Sequence, residues 1–459
     1  MSEPTRPGVD APGDWEFPTP ERRDLDNGLT LISYHVPGQY VLSLRVGLPV
    51  SLREEPRERE GVATIMARCL DEGTERHTAE EFARLLERKG VSFGAGVAEA
   101  GLFLDIDVVA GNVDPALDLL RQILTEPAFP PNEVARQVRT RLADIEQERA
   151  VAGHRAMMEF YATLYDAEDR AARPVGGSRQ TVAAIRRQDV VAFHREHVVA
   201  AGTTLVVSGD LTGLNIASSV DRALGGWARG ADRPSFISES AQLAADRDRV
   251  VVVDRPGSVQ TEIIIGAPGP DRSVAGGWAP YPVLGFVVGG SPSARIDAVL
   301  REEKGYTYGI RAGFRPRSSG GIFTTSGSVR ADATTESLRL LAEILEGAGA
   351  GLADGEVRSG VDFISKTAPG RYATADAIAD EAVTMALDGR TTAFTTANLR
   401  DLATVDARRA DEAWARFWEG SRLGASGTGW TIIVVGDAAE HLGEVERLGL
   451  GPVTVVRDS

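Results

Sequence analysis

Histidines are the first place to look for chemistry in this chain, because imidazole is the commonest protein ligand of metals. The chain has six histidines, and none of them forms His-Glu-x-x-His or His-x-x-Glu-His, the two helical zinc-binding patterns. His194 and His197 are close enough to share a helix face, with Glu196 nearby, but the sequence marks no third ligand. This pattern favours a solvated helix face over a metal site.

A second set of polar groups lies near residue 300. Gly289 and Gly290 precede a helix-like segment that ends at Gly305 and is followed by a β-like run. Arg301 lies in the helix-like segment and Tyr308 in the run. A guanidinium offers a fork of charged donors and a phenol offers one O–H, so the pair could stabilise an oxyanion but could not activate water. The alternatives are that Arg301 is a solvated charge at a helix end and Tyr308 a half-buried strand residue. Gly289 and Gly290 could likewise form only a turn between a strand and a helix.

The elements that must position these groups occur twice. The strand-like segment Thr204–Asp210 recurs as Thr431–Asp437, and Gly101–Ile106 with the helix after it recurs as Gly321–Ser326 with its own helix. Such a long period indicates duplication of a whole domain. Strands and helices are grouped rather than strictly alternating, so we predict an α+β fold: two homologous domains, each a mostly antiparallel sheet with helices packed on one face.

The predicted organisation has four segments. Residues 1–20 are rich in Pro, Gly and acidic side chains and are predicted to be a disordered tail. The first domain covers residues 21–227 and the second covers residues 247–459. Between them, residues 228–246 contain Gly, Pro and Ser with little apolar periodicity, which is typical of a linker.

Composition limits the possible partners. The 459 residues include 66 Asp and Glu against 50 Lys and Arg, a net charge of −16, which argues against nucleic acid or an anionic membrane as partner. The single cysteine, Cys69, excludes a disulfide framework, and its place on an apolar helix face predicts a buried, inert thiol. The sequence shows no signal peptide and no apolar run of about 18 residues, so a cytoplasmic location is expected.

Three segments, taken in order, resemble one family. Leu25–Leu31, Glu60–Thr74 and Val253–Thr261 resemble the opening strand, the active-site helix and the start of the second domain of M16 (pitrilysin-type) metallopeptidases. The resemblance extends from about residue 22 to residue 456 and includes the duplication. It implies the M16/LuxS-like metallohydrolase fold, in the form of a bacterial half-length subunit.

The segment that resembles the active-site helix lacks the family's motif. In active members this helix carries His-x-x-Glu-His, and a glutamate farther along the chain completes the zinc site. The two ligand positions correspond here to Thr64 and Arg68, and the general-base position corresponds to Ala67. The distal glutamate position corresponds to Asp144, or to Ala143 one residue earlier. Helical spacing predicts that the first three share one face, opposite the apolar stripe. A single carboxylate beside a permanently charged arginine cannot hold zinc, so we expect no metal in this chain.

The segment Leu300–Tyr308 resembles the Arg/Tyr element in the second domain of the family. The resemblance implies that Arg301 and Tyr308 act on the scissile carbonyl, and that Gly289 and Gly290 belong to a substrate-binding segment near the opening between subunits.

The expected function follows from the resemblance. It is that of the non-zinc subunit of a heterodimeric M16-type metallopeptidase, inactive alone, whose partner carries His-x-x-Glu-His and Zn²⁺. Substrates would be peptides bound in an extended form against a strand edge, with basic peptides favoured by the negative charge of the chain. The alternative is a non-catalytic scaffold or peptide-binding homologue, including a homodimer.

Overall fold

The computed structural model describes residues 15–349, 351–422 and 428–457. Each half of the described chain contributes one six-stranded mixed sheet. The first sheet has the order β1-β2-β6-β3-β5-β4 and is formed by β1 (Glu21–Asp24), β2 (Thr30–His35), β3 (Val41–Leu48), β4 (Val91–Ala98), β5 (Gly101–Val109) and β6 (Thr204–Gly209). The second has the order β12-β7-β11-β8-β10-β9 and is formed by β7 (Val250–Asp254), β8 (Gln260–Pro268), β9 (Arg311–Arg315), β10 (Ile322–Arg330), β11 (Thr431–Gly436) and β12 (Val453–Arg457).

Helices follow the same order in both halves. Those of the first half are α1 (Val62–Ala67), α2 (Ala79–Lys89), α3 (Val113–Thr125), α4 (Pro131–Ala150), α5 (Ala152–Leu164), α6 (Arg179–Ala184), α7 (Arg187–His197) and α8 (Ile216–Leu224). Those of the second are α9 (Pro280–Gly285), α10 (Arg295–Asp297), α11 (Thr334–Gly347), α12 (Asp354–Arg371), α13 (Ala375–Leu387), α14 (Ala393–Leu402), α15 (Ala407–Arg422) and α16 (Ala438–Arg447). Two π-helical turns, Phe286–Gly290 and Ala298–Glu303, flank α10.

The two sheets confirm the predicted α+β fold with two similar domains. The repeated segments Thr204–Asp210 and Thr431–Asp437 supply β6 and β11, which are buried along their whole length and occupy the same place in the two sheet orders. Most strand pairs are antiparallel, while β2 with β6, β7 with β11 and β7 with β12 are parallel. The outermost strand differs: the first half uses its N-terminal β1 and the second its C-terminal β12.

The halves exchange one helix each, which nothing in the sequence pattern predicts. Helix α5 of the first half packs on β8 and β11 of the second sheet, where Phe160 and Leu164 join Ile264 and Ile433 in one buried cluster. Helix α13 of the second half packs on β3 and β6. Each sheet therefore has the helices of its own half on one face and a helix of the other half on the opposite face.

The described residues of the predicted tail and of the predicted linker pack against the rest of the chain. Residues 1–14 lie outside the described residues, but Phe17, within the predicted disordered tail, is 6% exposed and packs against Tyr34 and Tyr372 at ring distances of 5.8 and 5.1 Å. In the predicted linker, Arg233 forms an ion pair with Glu54 at 2.9 Å. The prediction of a disordered tail is therefore wrong from residue 15 onward.

One stretch of the described chain, Pro280–Glu303, is long and apolar enough to cross a membrane by length and composition. Within its most apolar window, 61% of the residues are buried inside the protein, which is typical of a core helix. The cytoplasmic location expected from the sequence stays a prediction.

Candidate functional site

Helix α1, which carries Thr64 and Ala67 of the predicted motif positions, is held in place at its first turn. Gly61 precedes it with φ 95°, and a Cβ there would lie 2.7 Å from the carbonyl oxygen of Gly176. The fully buried Glu55 carboxylate accepts hydrogen bonds from the backbone N–H groups of Gly61 and Ala63, both at 3.0 Å. It also pairs with the buried guanidinium of Arg170 at 2.8 Å. A carboxylate at a helix N-terminus and a buried ion pair together fix α1.

Two of the predicted motif positions form an ion pair. Arg68, immediately after α1, places Nη1 2.7 Å from Oδ2 of Asp144 on α4, and both side chains are about one third exposed. Asp144 is therefore the residue of α4 that faces the motif, whereas Ala143 is exposed to solvent. Thr64 is partly exposed, but Ala67 is only 2% exposed. The prediction that Ala67 lies with Thr64 and Arg68 opposite the apolar stripe is wrong, because Ala67 packs in the apolar core of the first half.

These residues do not fit a zinc ion. Catalytic zinc takes three protein ligands from His, Glu, Asp or Cys, and the motif positions offer only one carboxylate, already bound to a guanidinium. Across residues 15–349, 351–422 and 428–457, no group of three His, Cys, Asp or Glu side chains could hold a metal ion. The polar side chains at Arg68 and Asp144 thus pair with each other.

His197 of α7 is buried and His194 is half-buried, so the prediction of a solvated helix face is wrong. His194 lies edge-on to Phe129, and its Nε2 is 3.1 Å from the carbonyl oxygen of Leu124. Burial lowers the pKa of His194 to about 4. His197 is 4% exposed, with Nδ1 3.0 Å from Glu54, and burial lowers its pKa although that carboxylate opposes the shift.

Cys69 behaves as the sequence predicts. Its side chain is fully buried in the core beneath α1. Burial raises the pKa of the Cys69 thiol to about 12, so the thiolate needed for nucleophilic chemistry is not formed at neutral pH.

Arg301 and Tyr308 lie on one connected segment that faces solvent. Arg301 is in the π-helical turn after α10, and its backbone carbonyl accepts a hydrogen bond from Gly305, where φ is 65°. Its side chain is 40% exposed and lies 3.5 Å from Glu302. Tyr308 is 94% exposed, and its hydroxyl has no hydrogen-bond partner among the residues that the structure describes. The two side chains are thus on the same segment and unburied, but they are not bonded to each other.

Gly289 and Gly290 form the end of the first π-helical turn. A Cβ on Gly289 would lie 2.7 Å from Cβ and 2.8 Å from the backbone N of Ala312, at the start of β9. Gly289 is buried and Gly290 is exposed. The close approach of helix and strand gives Gly289 a packing role, and the substrate-binding role of both residues stays a prediction.

Comparison with known proteins fits this geometry. Residues 37–172 match the model of the insulinase-type M16 peptidase family, and residues 184–361 match that of the M16 inactive domain. Together the two matches cover more than half of the chain. The chain belongs to the M16 peptidase family.

Several M16 proteins are similar along most of this chain. A protein from Rickettsia felis named an uncharacterized zinc protease is 24% identical over 314 residues, which is 67% of this chain and 73% of that protein. A protein from Helicobacter pylori named a non-peptidase homolog, YmxG, is 23% identical over 252 residues, which is 54% of this chain and 56% of that protein. M16 relatives thus include proteins named as peptidases and one named as a non-peptidase.

Solved M16 structures show the same fold. The structure of a peptidase M16 inactive domain from Pseudomonas fluorescens matches with a TM-score of 0.81 at 18% identity, covering 91% of this chain and 98% of that one. A protease from Helicobacter pylori matches with a TM-score of 0.79 at 14% identity, covering 91% and 99%. At these identities the likeness shows the fold alone.

One feature of the site could not have been found from the sequence. Glu55 and Arg170 are separated by 115 residues, and no local pattern marks them as a buried pair. The contact between Arg68 and Asp144 is different, because the family resemblance had placed both residues at one site.

Proposed function

We propose that this chain is the non-zinc subunit of a heterodimeric M16-type peptidase. In this proposal a partner subunit with His-x-x-Glu-His supplies the zinc ion and the base that activates water. This chain supplies Arg301 and Tyr308, which bind the peptide carbonyl and stabilise the oxyanion that forms when water attacks it. The Arg68–Asp144 ion pair supports this division, because it engages the one carboxylate at the predicted motif positions.

The exposure of Tyr308 carries the proposal. A tyrosine usually buries most of its ring, and here 94% of it faces solvent with the hydroxyl unpaired in the described part of the chain. Arg301, on the same segment, keeps most of its guanidinium donors free as well, since its one ion pair is at 3.5 Å. Charged and neutral donors placed at a developing oxyanion stabilise the transition state more than the ground state.

The test is reconstitution with an M16 subunit from the same organism that carries the zinc motif. Peptide hydrolysis by the mixture is measured with the wild-type chain, with Arg301→Ala and with Tyr308→Phe. Loss of an oxyanion donor lowers kcat by roughly 10²–10³-fold, so each variant should lower kcat more than it raises KM. Arg84→Ala and Tyr40→Phe are matched controls, since both side chains are exposed and lie on the first half. Unchanged kcat in both test variants would refute the role.

A second function, that of a non-catalytic M16 homologue, has support from the Helicobacter pylori relative that is named a non-peptidase homolog. Size-exclusion chromatography with light scattering separates the two. A one-to-one complex with the zinc-motif subunit supports the first function. A homodimer that does not bind the zinc-motif subunit and leaves the peptidase activity of that subunit unchanged supports the second.

A further inference from the structure

A cavity of about 350 Å³ lies between the two halves of the chain. Helix α5 forms one wall, and residues 51–53 and 169–175 of the first half form another. The linker contributes Ile237 and Glu239, and the turn between β9 and β10 contributes residues 317–319. The cavity is therefore built from both halves, where ligand pockets are often found.

The walls of the cavity are mainly apolar and adaptable. His154, Met157, Met158 and Tyr161 follow the i, i+3, i+4, i+7 spacing, so they lie on one face of α5, and all four line the cavity. Leu52, Val175 and Ile237 also line it. Methionine side chains are flexible and polarizable, so two adjacent ones accept apolar groups of different shapes.

The charged groups at the cavity are neutralised within the chain. Arg317 pairs with Glu99 at 2.7 Å and stacks over the ring of Tyr161, with its guanidinium carbon 4.5 Å from the ring centre. Arg53 pairs with Asp169 at 3.0 Å, and also with Glu239 on the linker. Because these charges already have partners, the cavity favours an uncharged group over an ionic one.

The rim of the cavity lies close to the Arg68–Asp144 ion pair. Glu148, which lines the cavity, is on α4 four residues after Asp144, so the two lie one helical turn apart on the same face. Glu148 is bound there by Arg141, while Asp144 is bound by Arg68. His154, Arg53 and Glu239 are all more than one third exposed, so the cavity opens to solvent.

We propose that this cavity binds a bulky aliphatic or aromatic side chain of an extended peptide. The volume lies at the small end of ligand pockets, which suits one large side chain better than a cofactor. The neutral, thioether-lined walls suit an apolar group, and the opening to solvent at His154, Arg53 and Glu239 leaves room for the rest of the peptide outside the cavity. This inference deepens the proposed function and rests on it for the peptide, since the geometry alone specifies only the side chain.

The test measures binding by the chain alone, without any partner subunit or hydrolysis. Two fluorescein-labelled nine-residue peptides that differ only in a central Phe or Asp are titrated with the protein, and fluorescence anisotropy gives the dissociation constants. Burial of one phenyl group predicts at least about tenfold tighter binding of the Phe peptide. Since no partner is present, the Phe preference can be absent while the reconstituted complex still hydrolyses peptides. It can also be present while the reconstituted complex is inactive.

Variants on two different elements locate the binding. Met158→Glu on α5 and Ile237→Glu on the linker should each remove the preference for Phe, whereas Met158→Leu should keep it. Val455→Glu is the control, because Val455 is 43% exposed on β12 and does not line the cavity. Circular dichroism checks that each variant is folded. If Met158→Glu disturbs α5, Ile237→Glu still tests the cavity, because it changes the linker and leaves α5 intact.

Three results would overturn the proposal. One is equal affinity for the Phe and Asp peptides. Another is a Phe preference that survives both cavity variants. The third is binding of N-acetyl-phenylalaninamide as tight as that of the peptide, which would assign the cavity to a small apolar molecule instead.

Discussion

The Arg68–Asp144 region of the first half and the Arg301–Tyr308 segment of the second half differ in where their polar groups find partners. At the first, Arg68 and Asp144 bind each other, and nearby Glu55 and Arg170 do the same. At the second, Tyr308 is 94% exposed and Arg301 makes one weak ion pair. Groups that are satisfied within a chain stabilise it, and groups left free are available to another molecule. The polar groups of the first region thus stabilise the chain, while those of the second face outward.

The largest effect should come from breaking the buried pair beneath α1. Glu55→Gln removes the nearer carboxylate of the buried Arg170 guanidinium and leaves only Glu60, at 3.9 Å, so it should cost up to about 3–5 kcal/mol of unfolding free energy. Urea unfolding measures the loss. Glu80→Gln is the control, because Glu80 is 76% exposed in its pair with Arg84 and should cost about 1 kcal/mol or less. Equal losses in the two variants would contradict a structural role for the buried pair.

A pH effect of nearly the same size should come from His194. Its pKa is about 4 in the folded chain and about 6.5 when exposed, so the unfolded chain binds the proton first as the pH falls. The stability that neutral His194 contributes is complete above pH 6.5 and is lost between pH 6.5 and pH 4, on the order of 3 kcal/mol in all.

The comparison that isolates this effect is with His194→Gln. The unfolding free energy of both proteins is measured from pH 7 to pH 4.5, and the difference between them should shrink as the pH falls. A constant difference over that range would show that His194 does not titrate as its burial requires.

The Arg68–Asp144 ion pair should be convertible into a metal site. Thr64→His with Arg68→His places two imidazoles on the exposed side of α1, facing the carboxylate of Asp144, and removes the competing guanidinium. The double variant should bind about one zinc ion per chain, and zinc at a hundredfold excess over Kd should stabilise it by about 2.7 kcal/mol.

Metal analysis after dialysis and thermal unfolding with and without zinc measure both quantities. The wild-type chain and Thr64→His alone are the controls, and neither should retain stoichiometric zinc. Zinc retained by the wild-type chain would contradict the structural account of Arg68.

The smallest effect on stability is expected at the outward-facing segment. Tyr308→Phe and Arg301→Ala remove exposed groups, so each should change the unfolding free energy by no more than about 0.5 kcal/mol. A loss above 1 kcal/mol in either variant would show that the segment is structural, and the contrast between the two halves would then disappear.

The sequence predicts the fold better than it predicts the site. The repeated segments that became β6 and β11 are fully buried strands with a strong local pattern, so their equivalence could be found without a structure. The environments of His197 and Ala67 could not, because burial there depends on Glu54, Arg233 and the packing of α1, all set by the tertiary fold. Spacing shows which residues share a helix face, but it does not show which face is covered.

The exchange of α5 and α13 has a mechanical consequence. A hinge between the two sheets would pull Phe160 out of the second sheet or Val383 off the first, exposing apolar surface to water at each step. The two halves are therefore held together at both sheets and should move as one rigid unit. Cutting the chain within residues 228–246 should leave two fragments that stay associated.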